Sequence, residues 1–180
     1  GGRPDAPAAR LLLPAGAPET EWHAARRSGI GGSDVAAILG LDKYRGPRHV
    51  YEAKHGREDN ATSEAAEIGT EIEDFVAGLF SKRSGVPIAV PPGTLTNLEN
   101  PWMLANVDRY ALWDEATGAV AGPLECKNRS EYQLDDWEDG VPDAPALQTH
   151  WYMAVGGWEV AYVAALVGGN KLRWHRLERR

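Results

Sequence analysis

The run Val160-Ala161-Tyr162-Val163-Ala164-Ala165-Leu166-Val167 carries no charge and no polar alternation. A strand that is apolar on both sides has to be covered on both faces, so this run belongs inside a sheet packed by other elements. Gly168-Gly169-Asn170 then reads as a hairpin turn, and Lys171 to Glu178 as an alternating return strand. Residues 63 to 84 predict the longest helix, with Ile68, Ile72, Phe75, Val76, Leu79 and Phe80 on an apolar stripe and Gly85 at its end. Short strands are expected at 86 to 90 and 94 to 98, and the runs 103 to 113 and 119 to 127 predict a hairpin. A second helix is expected at roughly 143 to 155. The order predicts an α/β (α+β) fold, with one central mixed β-sheet flanked by helices.

The 180 residues suit one domain with a real core, and residues 1 to 20, rich in Ala, Pro and Gly, read as a flexible N-terminal arm before a folded unit at 21 to 180. A single cysteine excludes a disulfide framework and any multi-cysteine zinc or iron-sulfur site. Leu11-Leu12-Leu13 is broken at Pro14 and is too short for a signal peptide or membrane span, so a soluble, cytoplasmic protein is expected. The net charge of −7 argues against a generic, coat-like nucleic-acid binder. Contact with DNA would have to come from local basic patches.

Chemistry concentrates at Leu124-Glu125-Cys126-Lys127. In a strand, Glu125 and Lys127 project to one face while Leu124 and Cys126 face the other, buried side. Asp108 lies on the preceding strand-like run. Two carboxylates meeting at one point repel unless a divalent cation lies between them, and oxygen ligands favour magnesium or manganese. Such an ion polarises a phosphate and acidifies a bound water, and a neighbouring lysine can hold or deprotonate that water. Taken alone, Glu125-x-Lys127 is better explained as an ordinary solvated same-face ion pair.

Other stretches carry similar alternatives. Gly29-Ile30-Gly31-Gly32-Ser33-Asp34 is a glycine-rich turn running into a helix, either a plain capped turn or an anion site with Arg26 or Arg27 beside it. Lys43, Arg45, Arg48, Lys54 and Arg57, interleaved with Tyr44 and Tyr51, form the clearest basic patch, which suits a DNA backbone or a solvated helix face. Glu73 lies four residues after Gly69 on one helix face and is either a surface acid or a group reaching toward a strand-borne metal. Gln148, with Trp151 and Tyr152 on its helix face, is either a satisfied core amide or a site residue.

Five of these motifs in order, across residues 22 to 178, resemble the lambda exonuclease and YqaJ-type viral recombinase family of restriction-endonuclease-like nucleases, whose signature is Asp…Glu-x-Lys. The resemblance implies a restriction-endonuclease-like core. It implies that Arg26 and Ser33 bind the terminal 5′-phosphate of DNA, and that Asp108 and Glu125 bind metal with the Cys126 main-chain carbonyl completing the shell. Glu73 would support the metals directly or through water, Lys127 would be the catalytic lysine, and Gln148 would lie near the attacking water. One departure is Val107-Asp108-Arg109, where the family commonly has Pro-Asp-Gly; Arg109 is read as a DNA contact or as a bulkier turn residue.

The implied activity is a phage-type alkaline exonuclease that uses Mg2+, with Mn2+ able to substitute and two ions expected. It would hydrolyse one strand of double-stranded DNA in the 5′-to-3′ direction and leave 3′ overhangs for recombination. Lys43, Arg45, Arg48 and Lys54 would line the DNA path. Double-stranded DNA ends, a single-strand annealing protein and a homotrimer are the implied partners. The alternatives are another nuclease of the same fold, such as an endonuclease or RecB-like enzyme, and a non-catalytic DNA-binding module.

Overall fold

The computed structural model describes residues 1–56 and 64–180. Arg57, the end of the basic run, and residue 63, the expected start of the long helix, lie outside the described residues. The chain forms β1 (Ala9–Pro14), α1 (Glu19–Arg27), α2 (Gly32–Ile38), α3 (Pro47–Lys54), α4 (Glu64–Ser84), β2 (Ile88–Ala89), β3 (Gly93–Asn97) and β4 (Leu104–Ala105). It continues through β5 (Arg109–Asp114), β6 (Ala119–Arg129), α5 (Leu134–Glu138), α6 (Asp143–Gly156), β7 (Val160–Val167) and β8 (Lys171–Glu178).

The strands form two sheets, where one was expected. The larger has the order β2-β5-β6-β7-β8, with β6 and β7 parallel and the other neighbours antiparallel. The smaller, β1-β3-β4, is antiparallel. Its existence corrects two expectations. The run 103 to 113 is not one strand: β4 pairs with β3 and β5 pairs with β6, so the chain passes from one sheet to the other across Asn106–Asp108. That break sets Asp108 at the mouth of the larger sheet.

Residues 1 to 20 are not wholly a flexible arm either. Leu11 and its neighbours pair with β3, Ala6 and Ala9 are fully buried, and Trp158 Nε1 donates to the Asp5 carbonyl at 2.9 Å. The alanines permit this close docking, and β3 supplies the backbone hydrogen bonds that an isolated segment lacks.

β7 is covered on both faces, as its composition requires. Ala164 and Leu166 pack with Val76, Ala77 and Phe80 of α4, while Val163, Ala165 and Val167 pack with Trp137 of α5. Burying one such large side chain contributes about 1.5–3 kcal/mol. The stripe on α4 is narrower than expected: Ile68 and Phe75 are exposed. α6 lies over the junction of the sheets, where Tyr152 and Met153 pack with Leu95, Ala105 and Tyr110. Among the described residues, no helix is long and apolar enough to cross a membrane.

Candidate active site

β6 brings the chemistry of its sequence to one place. Its alternation sends Leu124 and Cys126 to the α4 side and turns Glu125 and Lys127 together, with Lys127 Nζ 3.1 Å from Glu125 Oε1. Glu125 is buried, 3% exposed, and among the described residues its Oε2 atom has no hydrogen-bond partner. Asp108, entering from the β4–β5 break, accepts the Cys126 backbone N–H at Oδ2 (2.8 Å). Burial, then the charges of Glu125 and Glu73, push the Asp108 carboxyl well above the usual range. Glu73, from α4, is also raised, by burial first, although Arg109 opposes the shift.

These groups suit a hard divalent cation. The buried oxygen without a donor and the destabilised Asp108 carboxylate both describe negative charge awaiting a counterion. Among the described residues, no three His, Cys, Asp or Glu side chains form a metal-ligand set by themselves, so main chain and water would complete the shell. The Cys126 thiol is pushed up by burial and then by the neighbouring acids, which leaves it a neutral packing group. Only its main chain is suited to a hard ion.

A hydrogen-bonded series runs from this cluster into α6. Lys127 Nζ donates to Gln148 Oε1 at 2.7 Å, and Gln148 Nε2 donates to Tyr152 Oη at 2.9 Å. Tyr152 in turn lines a cavity of about 200 Å³ together with Trp22, Arg26, Ser33 and Lys54. A second cleft of about 280 Å³ contains Glu73, Asp108 and Arg109, and it shares Trp22 and Asn106 with the first. The carboxylate cluster and the Arg26–Ser33 pocket are therefore adjoining chambers. Gly32 makes the junction close: a Cβ there would lie 2.7 Å from Tyr152 Cε1 and 2.8 Å from Gln148 Cγ.

The pocket wall contains residues that sequence reasoning assigned elsewhere or read only as caps. Arg26 stacks over the Trp22 ring at 4.7 Å. Asp34 does accept the Gly31 N–H, at 2.9 Å, but it is 2% exposed and also pairs with Arg45 at 3.2 Å and Lys54 at 2.9 Å. Burial alone would raise the Asp34 carboxyl, but Lys54, the Gly31 amide and Arg45 outweigh it and hold the group below its ordinary value. Lys54 also donates to the Arg26 carbonyl at 2.6 Å, so it braces the pocket and is not a free cation on a separate path. Arg45 is likewise committed to Asp34, while Lys43 and Arg48 are exposed on the outside of the α2–α3 segment. A buried acid just after a glycine turn, with lysine and arginine downstream, was the available signal for this grouping.

Arg109 is tied to the long helix α4. Its guanidinium donates to Glu73 Oε1 at 2.8 Å and also pairs with Asp74.

Residues 21–159 match the YqaJ-like viral recombinase domain. The chain is 41% identical over 164 residues to the uncharacterized protein YqaJ of Bacillus subtilis (strain 168), covering 88% of this chain and 50% of that protein. It thus spans about half the length of that curated relative. Among solved structures, the alkaline exonuclease LHK-Exo from Laribacter hongkongensis superposes with a TM-score of 0.67 at 17% identity, over 89% of this chain and 82% of that one. LHK-Exo in complex with dAMP gives a TM-score of 0.66 at 17% identity, over 89% and 83%. The structural likeness shows the shared fold, and the domain match, with the sequence identity to YqaJ, shows that this chain belongs to the YqaJ-like viral recombinase domain family.

Proposed function

We propose that this chain is a metal-dependent deoxyribonuclease domain that digests one strand of duplex DNA from its 5′ end and leaves a 3′ overhang for recombination. The observation that carries the reading is the continuous set of contacts from the buried Glu125 carboxylate through Lys127 and Gln148 to Tyr152 in the wall of the Arg26–Ser33 pocket. A terminal phosphate held in that pocket lies next to the carboxylates that would serve the scissile bond.

Asp108 and Glu125 would hold the divalent cation, Mg2+ or Mn2+, with the Cys126 carbonyl on the same strand. When bound, that ion supplies positive charge to the phosphate and a more acidic water. Lys127 would orient the attacking water as a donor and stabilise the charge that develops as the P–O bond breaks. Gln148 fixes Lys127 through its Oε1 atom. Arg26 grips the terminal phosphate as a charged donor, Ser33 adds a hydroxyl, and Trp22 holds the guanidinium in place. Lys43 and Arg48 contact the duplex backbone outside the pocket. A homotrimer and a single-strand annealing protein are the assemblies this reading expects.

The test is digestion of linear duplex DNA bearing a 5′-phosphate or a 5′-hydroxyl, in magnesium and in chelator, with wild type beside Lys127→Ala. Magnesium-dependent loss of the phosphorylated 5′ strand, absent in the variant, is the expected result. Cleavage of closed circles would instead make the domain an endonuclease. Binding without cleavage in every condition would leave a DNA-binding module and end the catalytic reading.

A further inference from the structure

The machinery above leaves one cation at the cleft without a task. Arg109 opens β5 directly after Asp108, and its side chain is only 16% exposed. One arm of its guanidinium donates to Glu73 Oε1 at 2.8 Å and to the Asp108 carbonyl at 2.5 Å; the other pairs with Asp74. The fork ties α4 to the strand entrance, and Glu73 meets a fixed positive charge before any ion arrives. The opposite side of the cleft is different. Glu125 meets Lys127 through Oε1 but keeps its buried Oε2 free.

We propose that Arg109 is a built-in cation of this cleft that holds Glu73 out of the metal's inner shell, so that the chain binds a single divalent ion on Asp108 and Glu125. A guanidinium hydrogen-bonded to a carboxylate oxygen is a directional, charge-matched partner. A second ion at Glu73 would have to displace that bond while lying beside the displaced positive charge. The formal charges agree. Glu73, Asp74, Asp108 and Glu125 carry four formal negative charges, Arg109 and Lys127 return two, and the remaining two are met by one divalent ion. The proposal rests on the metal-dependent reading above and deepens it by assigning the ion count to a residue. Arg109 is a positioning residue in this scheme: it acts through Glu73.

The test is titration of the full chain with Mn2+ alone, read by electron paramagnetic resonance of the free ion and by calorimetry. Wild type is expected to bind about one ion per chain, and Glu73→Gln to bind it within about twofold of wild type. Arg109→Ala frees Glu73 and is expected to bind about two, while Arg109→Lys, which keeps the charge, stays at about one. Combining Arg109→Ala with Glu73→Gln should return the count to about one, which also reports that the Asp108–Glu125 site remains folded. Wild type binding two ions, one of them lost in Glu73→Gln, would overturn this proposal and leave the nuclease reading standing. Arg109→Ala binding one ion or none would overturn it as well. No Mn2+ bound by wild type would overturn both.

Discussion

Gly32→Ala tests whether the two chambers are one machine. The added methyl would lie 2.7 and 2.9 Å from Tyr152 Cε1 and Cζ and 2.8 Å from Gln148 Cγ, against an ordinary carbon contact of about 3.5–4.0 Å. Tyr152 is 4% exposed, so its ring has nowhere to swing. α2 and α6 must therefore separate by roughly 1 Å, and overpacking of that kind costs about 1–3 kcal/mol. For a chain of this size, each kcal/mol lowers Tm by about 2–4 °C. The functional cost follows from the hydrogen bonds, because Gln148 joins Tyr152 to Lys127 at 2.9 and 2.7 Å. A misplacement of about 1 Å reduces a rate by roughly 100-fold. Thermal melts and digestion of 5′-phosphorylated duplex read the two effects separately. Gly78→Ala is the control: nothing lies within 4 Å of its Cβ, and it should stabilise α4 by about 0.5–1 kcal/mol. A Gly32→Ala protein that melts and cleaves like wild type would refute the packing argument. One that melts early but cleaves normally would refute the coupling.

The remaining predictions concern charge. Asp34→Ala strands Arg45 and Lys54 beside a buried position, and unfolding in urea at pH 7 should show a loss of about 3–5 kcal/mol. Because Asp34 is held below its ordinary value of 3.8, its contribution is complete above that pH and is lost as the pH falls through the lower folded value; wild type and Asp34→Ala melts should converge in strong acid. Asp108→Asn keeps an oxygen for the Cys126 N–H but removes a charge facing Glu125 and Glu73, so it should raise Tm in chelator while abolishing cleavage. Magnesium at about 100 times its Kd should stabilise wild type by about 2.7 kcal/mol in the same melts, and Asp108→Asn should lose that gain. Lys127→Ala should cut the cleavage rate by about 100- to 10,000-fold with binding of 5′-phosphorylated ends retained.

What the sequence made legible divides along a physical line. β7 was readable because a strand apolar on both faces has one kind of environment, and the Glu125 and Lys127 pair was readable because side chains in a strand alternate. The second sheet was not readable. β1 has no pattern of its own that demands order, and its partner β3 lies some eighty residues away in Gly93–Asn97. Nothing local at Ala6 or Ala9 announces that Gly156 and Trp158 will meet the first residues of the chain. The division of 103 to 113 between two sheets failed for the same reason: strand propensity is local, and sheet membership is decided by distant partners.

The site shows the same division at finer scale. Residue types left Glu125, Lys127 and Gln148 open to ordinary readings, and it was the order of five motifs, through the family resemblance, that pointed to them and to Asp108. How those side chains spend their hydrogen bonds is a tertiary fact. Lys54, expected on an open DNA path, braces the Arg26 carbonyl against Asp34. Arg109, legible only as a departure at a turn, holds the acid expected to serve the metals. In both cases a basic residue that looked available to DNA has a carboxylate of its own. A count of lysines and arginines along this chain therefore overstates the charge that a duplex can meet, and the net charge of −7 makes the difference matter. The slope of log Kd against log salt for duplex binding should accordingly fall little in Arg45→Ala, whose charge is already matched by Asp34, and by about one in Arg48→Ala, whose side chain is exposed. Equal slopes for the two variants would show that Asp34 releases Arg45 when DNA binds, and the division into spent and available cations would be wrong.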